Sequence, residues 1–308
     1  MKILVTGGTT FVSKFTAEYF VSKDNEVFVL NRGSKPQIDG VHLIECDRNH
    51  LDRQLYGKYF DVILDITAYN ENDVEYLLNS GVSFKDYIFI SSSAVYPETN
   101  PQPFAENQTC GYNSVWKDYG SNKLKAEIYL QEHCPNAYIL RPPYLYGIYN
   151  NLYREAFVFD CAMNDRPFYL PQQGNMTLQF FNVADLCRFI EILIKKHPEN
   201  MVFNVGNKEI VTVKEWVTLC YQAVGKIPKF VTVDKSVNQR DYFCFYDYEY
   251  TLDVARQYQL MPNVISLEQG LQKELLWYKE NPDSIGNRKN YRTFIDEQLK
   301  NRFCYDKK

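Results

Sequence analysis

Three features that are scarce in this sequence restrict what the protein can be. No apolar run approaches the ~18 residues of a membrane-spanning helix. The apolar run that follows Met1 and Lys2 consists only of Ile3–Val5, so no signal peptide is predicted. The 34 basic residues do not exceed the 38 acidic ones, and the net charge of −4 gives no positive field for nucleic acid. We therefore expect a cytoplasmic protein with no membrane or nucleic-acid partner.

Closely spaced metal ligands are also lacking. The eight cysteines lie at least 24 positions apart, and the four histidines show no ligand spacing. Without a CxxC or HxxxH pair, no zinc site is predicted and no metal is expected. Isolated cysteines in a protein without a secretion signal are typical of buried, reduced thiols.

What the sequence does contain is a regular alternation of short apolar runs with helical patterns. Runs that are apolar almost throughout indicate strands covered by helices on both faces of a sheet. The predicted strands are Lys2–Thr6, Glu26–Asn31, His42–Cys46, Asp61–Ile66, Tyr87–Ser91 and Ala137–Arg141. The pattern predicts an α/β fold, a doubly wound parallel sheet (Rossmann) with a smaller mixed C-terminal substrate lobe.

The 308 residues are enough for two domains. We predict a dinucleotide-binding Rossmann domain over 1–150, to which 176–206 returns, and a mainly substrate-binding lobe over 151–308. A helix is predicted over Tyr149–Leu170 at the start of this lobe.

The turn after the first strand has the composition of a phosphate-binding loop. The segment Thr6–Ser13 follows a strand and opens a helix. Such a turn directs backbone N–H groups and the positive end of a helix at a phosphate. Gly7 supplies the tight turn, but Thr10 and Ser13 stand where a GxxGxxG frame has glycines. A plain strand–helix turn has a similar composition. The predicted dinucleotide contacts are Gly7, Thr9, Thr10, Phe11 and Val12.

The end of the second strand bears on the choice between NADP and NAD. An NAD site needs an acidic residue here to accept a hydrogen bond from the ribose 2′-hydroxyl. The chain has neutral Asn31 and cationic Arg32 instead, which suits a 2′-phosphate and favours NADP over NAD. Arg32 as a solvated loop charge is the alternative. Asp47, past the third strand, is predicted to accept from the adenine amino group or to be an ordinary turn aspartate.

Tyr119 and Lys123 stand four residues apart, which places them on one face of a helix. A tyrosine that acts as an acid or base needs its pKa of ~10 lowered, and a nearby ammonium favours the phenolate. The same spacing also occurs at Tyr19 and Lys23, where Tyr19 is predicted to lie in the core. The Tyr119 pair is distinguished by a serine cluster at the end of the fifth strand, because ligands bind at the carboxyl ends of parallel strands.

These motifs, in this order, resemble the extended short-chain dehydrogenase/reductases, the nucleotide-sugar epimerase/dehydratase family. The matching segments cover nearly the whole chain: Thr6–Ser13, Asp61–Ala68, Ser91–Tyr96, Tyr119–Lys123, Leu140–Gly147, Asn182–Asp185 and Phe203–Gly206.

The resemblance implies roles for individual residues. It implies that Ser92 and Tyr119 are catalytic, and that Lys123 binds the nicotinamide ribose. Thr67 and Ala68 would line the ribose, and Pro142 would approach the carboxamide. The residues expected to contact substrate are Ser93, Tyr144 and Arg240. Family members commonly dimerise through the helix that carries the Tyr/Lys pair, so a homodimer is expected.

Departures from the family pattern narrow the expected reaction. The 4,6-dehydratases carry an Asp-Glu pair directly after the catalytic Ser or Thr, but this chain has Ser93 and Ala94, so dehydration is not expected. Tyr144 replaces a common substrate-contacting Asn. We expect an NAD(P)-dependent epimerase or ketosugar reductase that acts on a nucleotide sugar by hydride transfer.

Two alternatives stay open. One is a non-sugar NADPH reductase of the same fold. The other is a non-catalytic dinucleotide-binding or RNA-binding regulatory protein, since the glycine-poor phosphate turn resembles an atypical branch that includes chloroplast stem-loop-binding proteins.

Overall fold

The computed structural model describes residues 1–51, 53–286 and 288–303. The strands are β1 (Lys2–Thr6), β2 (Glu26–Asn31), β3 (Val41–Glu45), β4 (Tyr59–Asp65), β5 (Ser83–Ile90), β6 (Tyr138–Arg141), β7 (Tyr144–Tyr146), β8 (Phe168–Pro171), β9 (Thr177–Asn182), β10 (Val202–Asn204), β11 (Ile210–Thr212) and β12 (Phe230–Val233). The helices are α1 (Phe11–Val21), α2 (Glu71–Leu78), α3 (Asp118–His133), α4 (Glu155–Met163), α5 (Val183–Lys196), α6 (Val213–Ala223), α7 (Gln239–Tyr242), α8 (Ala255–Leu260), α9 (Leu267–Glu280) and α10 (Tyr291–Phe294).

Contacts divide the chain into two compact units. The first comprises Met1–Leu145, Phe181–Asn207 and Leu252–Val264. The second comprises Tyr146–Phe180, Lys208–Thr251 and Ile265–Lys308. The chain thus returns to the first unit twice, whereas the sequence pattern predicts a single return.

The first unit contains a seven-stranded sheet in the order β10-β6-β5-β4-β1-β2-β3. All its strand pairs are parallel. The strand order reverses direction between β1 and β4, which in open α/β sheets is the place where ligands bind. The predicted doubly wound parallel sheet is therefore confirmed.

Alternate strand residues pack on opposite faces of this sheet. Ile3 and Val5 of β1 pack with Phe20 of α1 and with α5. Leu4 lies in a separate cluster with Leu130 of α3 and with α2. Because helices cover both faces, the strands are apolar almost throughout.

The second unit contains smaller sheets and most of the remaining helices. β8 and β12 form a parallel pair, and β9 runs antiparallel to β11. Helix α6 packs against α4 and α9. Among the described residues, no helix is both long enough and apolar enough to cross a membrane.

The predicted helix over Tyr149–Leu170 is wrong. Only Glu155–Met163 is helical, and Phe168–Pro171 is a strand. Asp165, just past the helix, has a φ of +50°, and a left-handed residue at this position ends a helix.

Candidate functional site

The turn between β1 and α1 has the backbone of an anion-binding loop. Gly7 and Gly8 have φ values of +95° and +100°, which favour glycine. A Cβ on Gly7 would lie 2.7 Å from the Ser13 hydroxyl. Helix α1 begins after Thr10 with Phe11, whose φ of +37° is unusual for a large side chain. The first amides of an α-helix have no partner within it, so this turn can bind a phosphate.

The other two residues predicted on this turn lie close to it. Thr9 is half-buried in the turn. Val12 is in the first turn of α1, where its carbonyl accepts from the Thr16 hydroxyl at 2.7 Å. The Val12 side chain packs against the core, so only its backbone is suited to a ligand.

The loop after β2 is fastened to the phosphate turn. The Asn31 amide donates to the Gly7 carbonyl at 2.7 Å, and its oxygen accepts from a backbone N–H of the loop at 2.9 Å. The Lys35 ammonium lies 3.2 Å from the Thr10 hydroxyl. Arg32 is exposed in the same loop. Asn31 therefore orders the loop, and Lys35 brings a positive charge to the turn.

Asp47 and Arg48 lie just past β3. The Asp47 carboxylate accepts from the Asn49 N–H at 2.9 Å, so it shapes this turn, and its adenine contact stays a prediction. Arg48 forms a bidentate ion pair with Asp65, at 3.0 and 3.1 Å. It also donates to the Thr67 hydroxyl at 2.9 Å. Sequence reasoning missed Arg48, although it directly follows a predicted contact residue.

Asp65 at the end of β4 is fully buried. Its carboxylate accepts from the Thr6 hydroxyl at 2.8 Å, the Tyr87 hydroxyl at 2.6 Å and the Ala68 N–H at 3.2 Å. Burial raises the pKa of Asp65, but the Arg48 charge and these hydrogen bonds outweigh it and hold the pKa below its usual value. The buried carboxylate is therefore ionised at neutral pH.

Lys123 is nearly buried, with 6% of its surface exposed. Its ammonium donates to the Ala68 carbonyl at 2.7 Å and the Ile90 carbonyl at 2.8 Å, and it lies 4.9 Å from the centre of the Phe89 ring. Burial disfavours the charged form and lowers the pKa of Lys123 to about 8. The lysine is thus fixed between the ends of β4 and β5.

The Ser92 and Tyr119 side chains lie close enough for the Ser92 hydroxyl to lower the pKa of the phenol. Ser92 follows β5 and also accepts from the Ala94 N–H at 3.2 Å. Tyr119 is in the first turn of α3, one turn before Lys123, and is 38% exposed. Loss of water around the phenol raises the pKa of Tyr119, and the nearby Ser92 hydroxyl opposes this rise. In the protein without ligand the phenol is neutral at pH 7.

Aromatic rings surround the first turn of α3. The Tyr69 and Tyr119 ring centres are 5.8 Å apart, and Tyr69 is 41% exposed. The Trp116 and Tyr144 rings meet edge to face at 6.4 Å. These side chains offer apolar faces to a ligand next to the Ser92 and Tyr119 hydroxyls.

Pro142 and Ser93 are joined through their backbones. The Ser93 N–H donates to the Pro142 carbonyl at 3.0 Å, which brings the predicted carboxamide contact beside the serine cluster. Ser93 is only 4% exposed, which disfavours the predicted contact of its side chain with substrate.

A second buried ion pair supports this region. Ser91 donates to Glu127, and the Arg141 guanidinium binds the same carboxylate at 2.5 and 3.0 Å. Arg141 also donates to the Tyr96 hydroxyl, which donates to Asn204, both at 2.8 Å. Sequence reasoning missed this network.

Arg240, the predicted substrate contact of the C-terminal lobe, is in the second unit. Its guanidinium donates to the Phe243 carbonyl at 3.3 Å and to the Cys244 carbonyl, and it lies 4.5 Å from the centre of the Tyr246 ring. Arg240 lines a polar cleft of that unit together with Lys235. Its contact with substrate stays a prediction.

Several known proteins with similar sequences or structures are nucleotide-sugar enzymes. The chain is 29% identical over 244 residues to the chloroplast stem-loop binding protein of 41 kDa b of Arabidopsis thaliana, with 73% of this chain and 63% of that protein covered. The chain thus spans less than two thirds of that relative. UDP-glucuronic acid 4-epimerase from Bacillus cereus in complex with NAD has a TM-score of 0.73 at 18% identity, over 91% of this chain and 97% of that one.

A dehydratase has a similar fold. dTDP-glucose 4,6-dehydratase from Bacillus anthracis in complex with NAD has a TM-score of 0.71 at 19% identity, over 92% of this chain and 98% of that one. Residues 3–206 match the NAD dependent epimerase/dehydratase family. This match spans the phosphate turn, both buried ion pairs and the Ser92, Tyr119 and Lys123 side chains. The chain belongs to the NAD dependent epimerase/dehydratase family.

Proposed function

We propose that this protein is an NAD(P)-dependent epimerase, or a ketosugar reductase, that acts on a nucleotide sugar by hydride transfer. The observation that carries this proposal is Lys123, held between two carbonyls one helical turn after Tyr119, with the Ser92 hydroxyl acting on the Tyr119 phenol. A hydroxyl pair beside a fixed lysine suits proton exchange with a substrate hydroxyl.

The first unit has the groups that a dinucleotide needs. Gly7, Gly8 and the start of α1 would hold the pyrophosphate. Lys123 and the turn at Thr67 would hold the nicotinamide ribose. Lys35 lies beside the phosphate turn, where its positive charge would attract a phosphate group. We propose NADP over NAD, because Asn31 is neutral and the loop that follows it carries cations.

A bound dinucleotide supplies the carbon that accepts or returns a hydride. Tyr119 exchanges a proton with the oxygen of the sugar carbon that is oxidised or reduced. Ser92 donates a hydrogen bond to that oxygen as negative charge develops on it. The Lys123 ammonium would orient the ribose, and its positive charge would favour the phenolate of Tyr119. The absence of an Asp-Glu pair after Ser92 argues against dehydration.

The test combines cofactor analysis with one substitution. Mass and absorbance analysis of the purified protein should identify NADP or NAD. Tyr119→Phe should keep cofactor binding but lose at least ~100-fold in turnover of UDP- or dTDP-sugars, the usual scale of acid–base catalysis. Tyr19→Phe is the matched control, because Tyr19 precedes Lys23 by the same spacing but donates to Glu191 at 2.7 Å. An unchanged rate in Tyr119→Phe would eliminate Tyr119 as the base.

A non-sugar NADPH reductase is a second candidate, favoured by the rings of Tyr69, Trp116 and Tyr144 near the predicted site. Turnover of aromatic or aliphatic ketones with NADPH, without turnover of any nucleotide sugar, would support it. An RNA-binding role is favoured only by the similarity to the chloroplast stem-loop binding protein. Gel-shift titration with a stem-loop RNA at physiological salt would test this role.

We also propose a homodimer that forms through α2 and α3, which pack side by side. Tyr76 of α2 is 42% exposed and Ile128 of α3 is 47% exposed. Light scattering should give twice the mass of the chain for the native protein, and Ile128→Glu should give a monomer.

A further inference from the structure

Arg48 connects three segments that converge at the end of β4. One nitrogen of its guanidinium donates to Asp65 at 3.0 Å and to the Thr67 hydroxyl at 2.9 Å. The other donates to Asp65 at 3.1 Å and to the Asp73 carbonyl at 2.9 Å. A single side chain from the β3–β4 connection therefore fixes the turn Asp65–Ala68 and the start of α2.

This ion pair is costly to bury. The Asp65 side chain is fully buried and that of Arg48 is 14% exposed. Such a pair is often no more stabilising than apolar residues of the same shape, so stability alone is a weak reason for its presence. The hydrogen bonds of the pair to Thr67 and Ala68 point instead to a role in positioning the turn Asp65–Ala68.

The contact with the predicted site runs through the backbone of one residue, Ala68. The Ala68 N–H donates to Asp65 at 3.2 Å, and the Ala68 carbonyl accepts from the Lys123 ammonium at 2.7 Å. The Thr6 hydroxyl holds the same turn, since it accepts from the Ile66 N–H at 2.9 Å and the Thr67 N–H at 3.1 Å. Arg48 and Lys123 thus act on opposite ends of one rigid turn.

We propose that Arg48 is a positioning residue for Lys123 and for the dinucleotide ribose. It holds the turn Asp65–Ala68 in the arrangement in which the Ala68 carbonyl accepts from the lysine. This inference rests on the proposed function, because it takes Lys123 to bind the ribose.

The charges around Lys123 make the inference testable through pH. The charged groups that act on its ammonium are Asp65 at the end of β4, Arg48 of the β3–β4 connection, Asp73 of α2 and Glu127 of α3. The three carboxylates raise the pKa of Lys123 and Arg48 lowers it. Loss of Arg48 alone should therefore raise the pH at which Lys123 loses its proton.

The experiment measures NADPH binding by fluorescence as a function of pH, and it needs no knowledge of the sugar. In the native protein, binding should weaken above about pH 8. Arg48→Met should weaken binding about tenfold, the scale of one charge-assisted hydrogen bond, and should move the weakening to higher pH. Arg48→Lys should recover part of the affinity. Arg53→Gln, an exposed arginine of the same connection, should leave binding unchanged.

A double variant covers the case in which Arg48→Met does not fold. Arg48→Met with Asp65→Asn leaves neither charge buried without its partner, so this variant is expected to fold without restoring the turn, and its affinity should stay about tenfold below native. Native affinity in either folded variant, or an unshifted pH dependence in folded Arg48→Met, would overturn the inference. Failure of the native protein to bind any dinucleotide would instead overturn the proposed function.

Discussion

Gly120 lies directly against the backbone of Ala94. A Cβ built on Gly120 would meet the Ala94 carbonyl oxygen and lie 3.1 Å from its carbonyl carbon. The contact brings the first turn of α3 against the segment that follows β5, and thereby brings Tyr119 close to Ser92.

Gly120→Ala should displace this turn and separate the two hydroxyls. We expect turnover to fall by ~100-fold, because a misplacement of about 1 Å has this scale of effect, and the melting temperature to fall as well. Gly286→Ala, where a Cβ would meet nothing within 4 Å, is the control. Native turnover in Gly120→Ala would show that the close approach does not set the geometry of the site.

Lys123 should make protein stability depend on pH in a defined direction. Its pKa of about 8 in the folded protein lies below the ordinary value of 10.5. Between these values the unfolded chain holds a proton that the folded protein has released, so the stability contribution of Lys123 rises with pH. Over this pH interval, denaturant unfolding should show the free energy of unfolding of the native protein rising by up to ~3 kcal/mol relative to that of Lys123→Met.

Lys58→Met, which changes an exposed lysine, is the control for this series. A difference between native protein and Lys123→Met that does not change with pH would contradict the lowered pKa of Lys123.

Lys35 should discriminate between NADPH and NADH. Its ammonium lies beside the Thr10 hydroxyl. Lys35 itself belongs to the loop after β2, which is predicted to bind the 2′-phosphate. Lys35→Glu should raise the Kd of NADPH by at least about tenfold, through loss of a charge-assisted contact, and change that of NADH much less. Fluorescence titration measures both, with Lys58→Glu as control. Equal weakening of the two cofactors would assign Lys35 to the pyrophosphate.

The ion pair of Glu127 and Arg141 should contribute strongly to the free energy of unfolding. Glu127→Ala leaves the guanidinium of Arg141 buried without its main partner, and such a loss costs about 3–5 kcal/mol. Glu132→Ala, at an exposed position of the same helix, should change the free energy of unfolding by less than ~0.5 kcal/mol. Similar values for the two variants would contradict the role of the pair.

The sheet could be predicted from the sequence because its physical signal is local. β1 and β2 have the predicted bounds, since strands buried on both faces are apolar along their whole length. The prediction of a helix over Tyr149–Leu170 is wrong because it relied on the same apolar signal. An apolar segment does not by itself distinguish a helix from a strand, and only Asp165, with its left-handed backbone, separates the two elements.

The polar part of the site was harder to predict. Gly7 and the Tyr119–Lys123 spacing are visible as motifs, and the fold brings the Ser92 and Tyr119 side chains together. Arg48 and Glu127 are not visible, because a charged residue in a sequence is most simply interpreted as solvent-exposed. Their burial depends on partners distant in the chain, 17 residues away for Arg48 and 14 for Glu127.

The hydrogen bond from Asn31 to Gly7 has a consequence for the kinetics of ligand association. It ties the loop after β2 to the phosphate turn before any dinucleotide arrives, so neither segment has to lose conformational freedom on binding. Because these two segments are already ordered, little of the free energy of binding is lost in ordering them. Association should then be limited by diffusion and charge attraction rather than by a slow rearrangement of the loop.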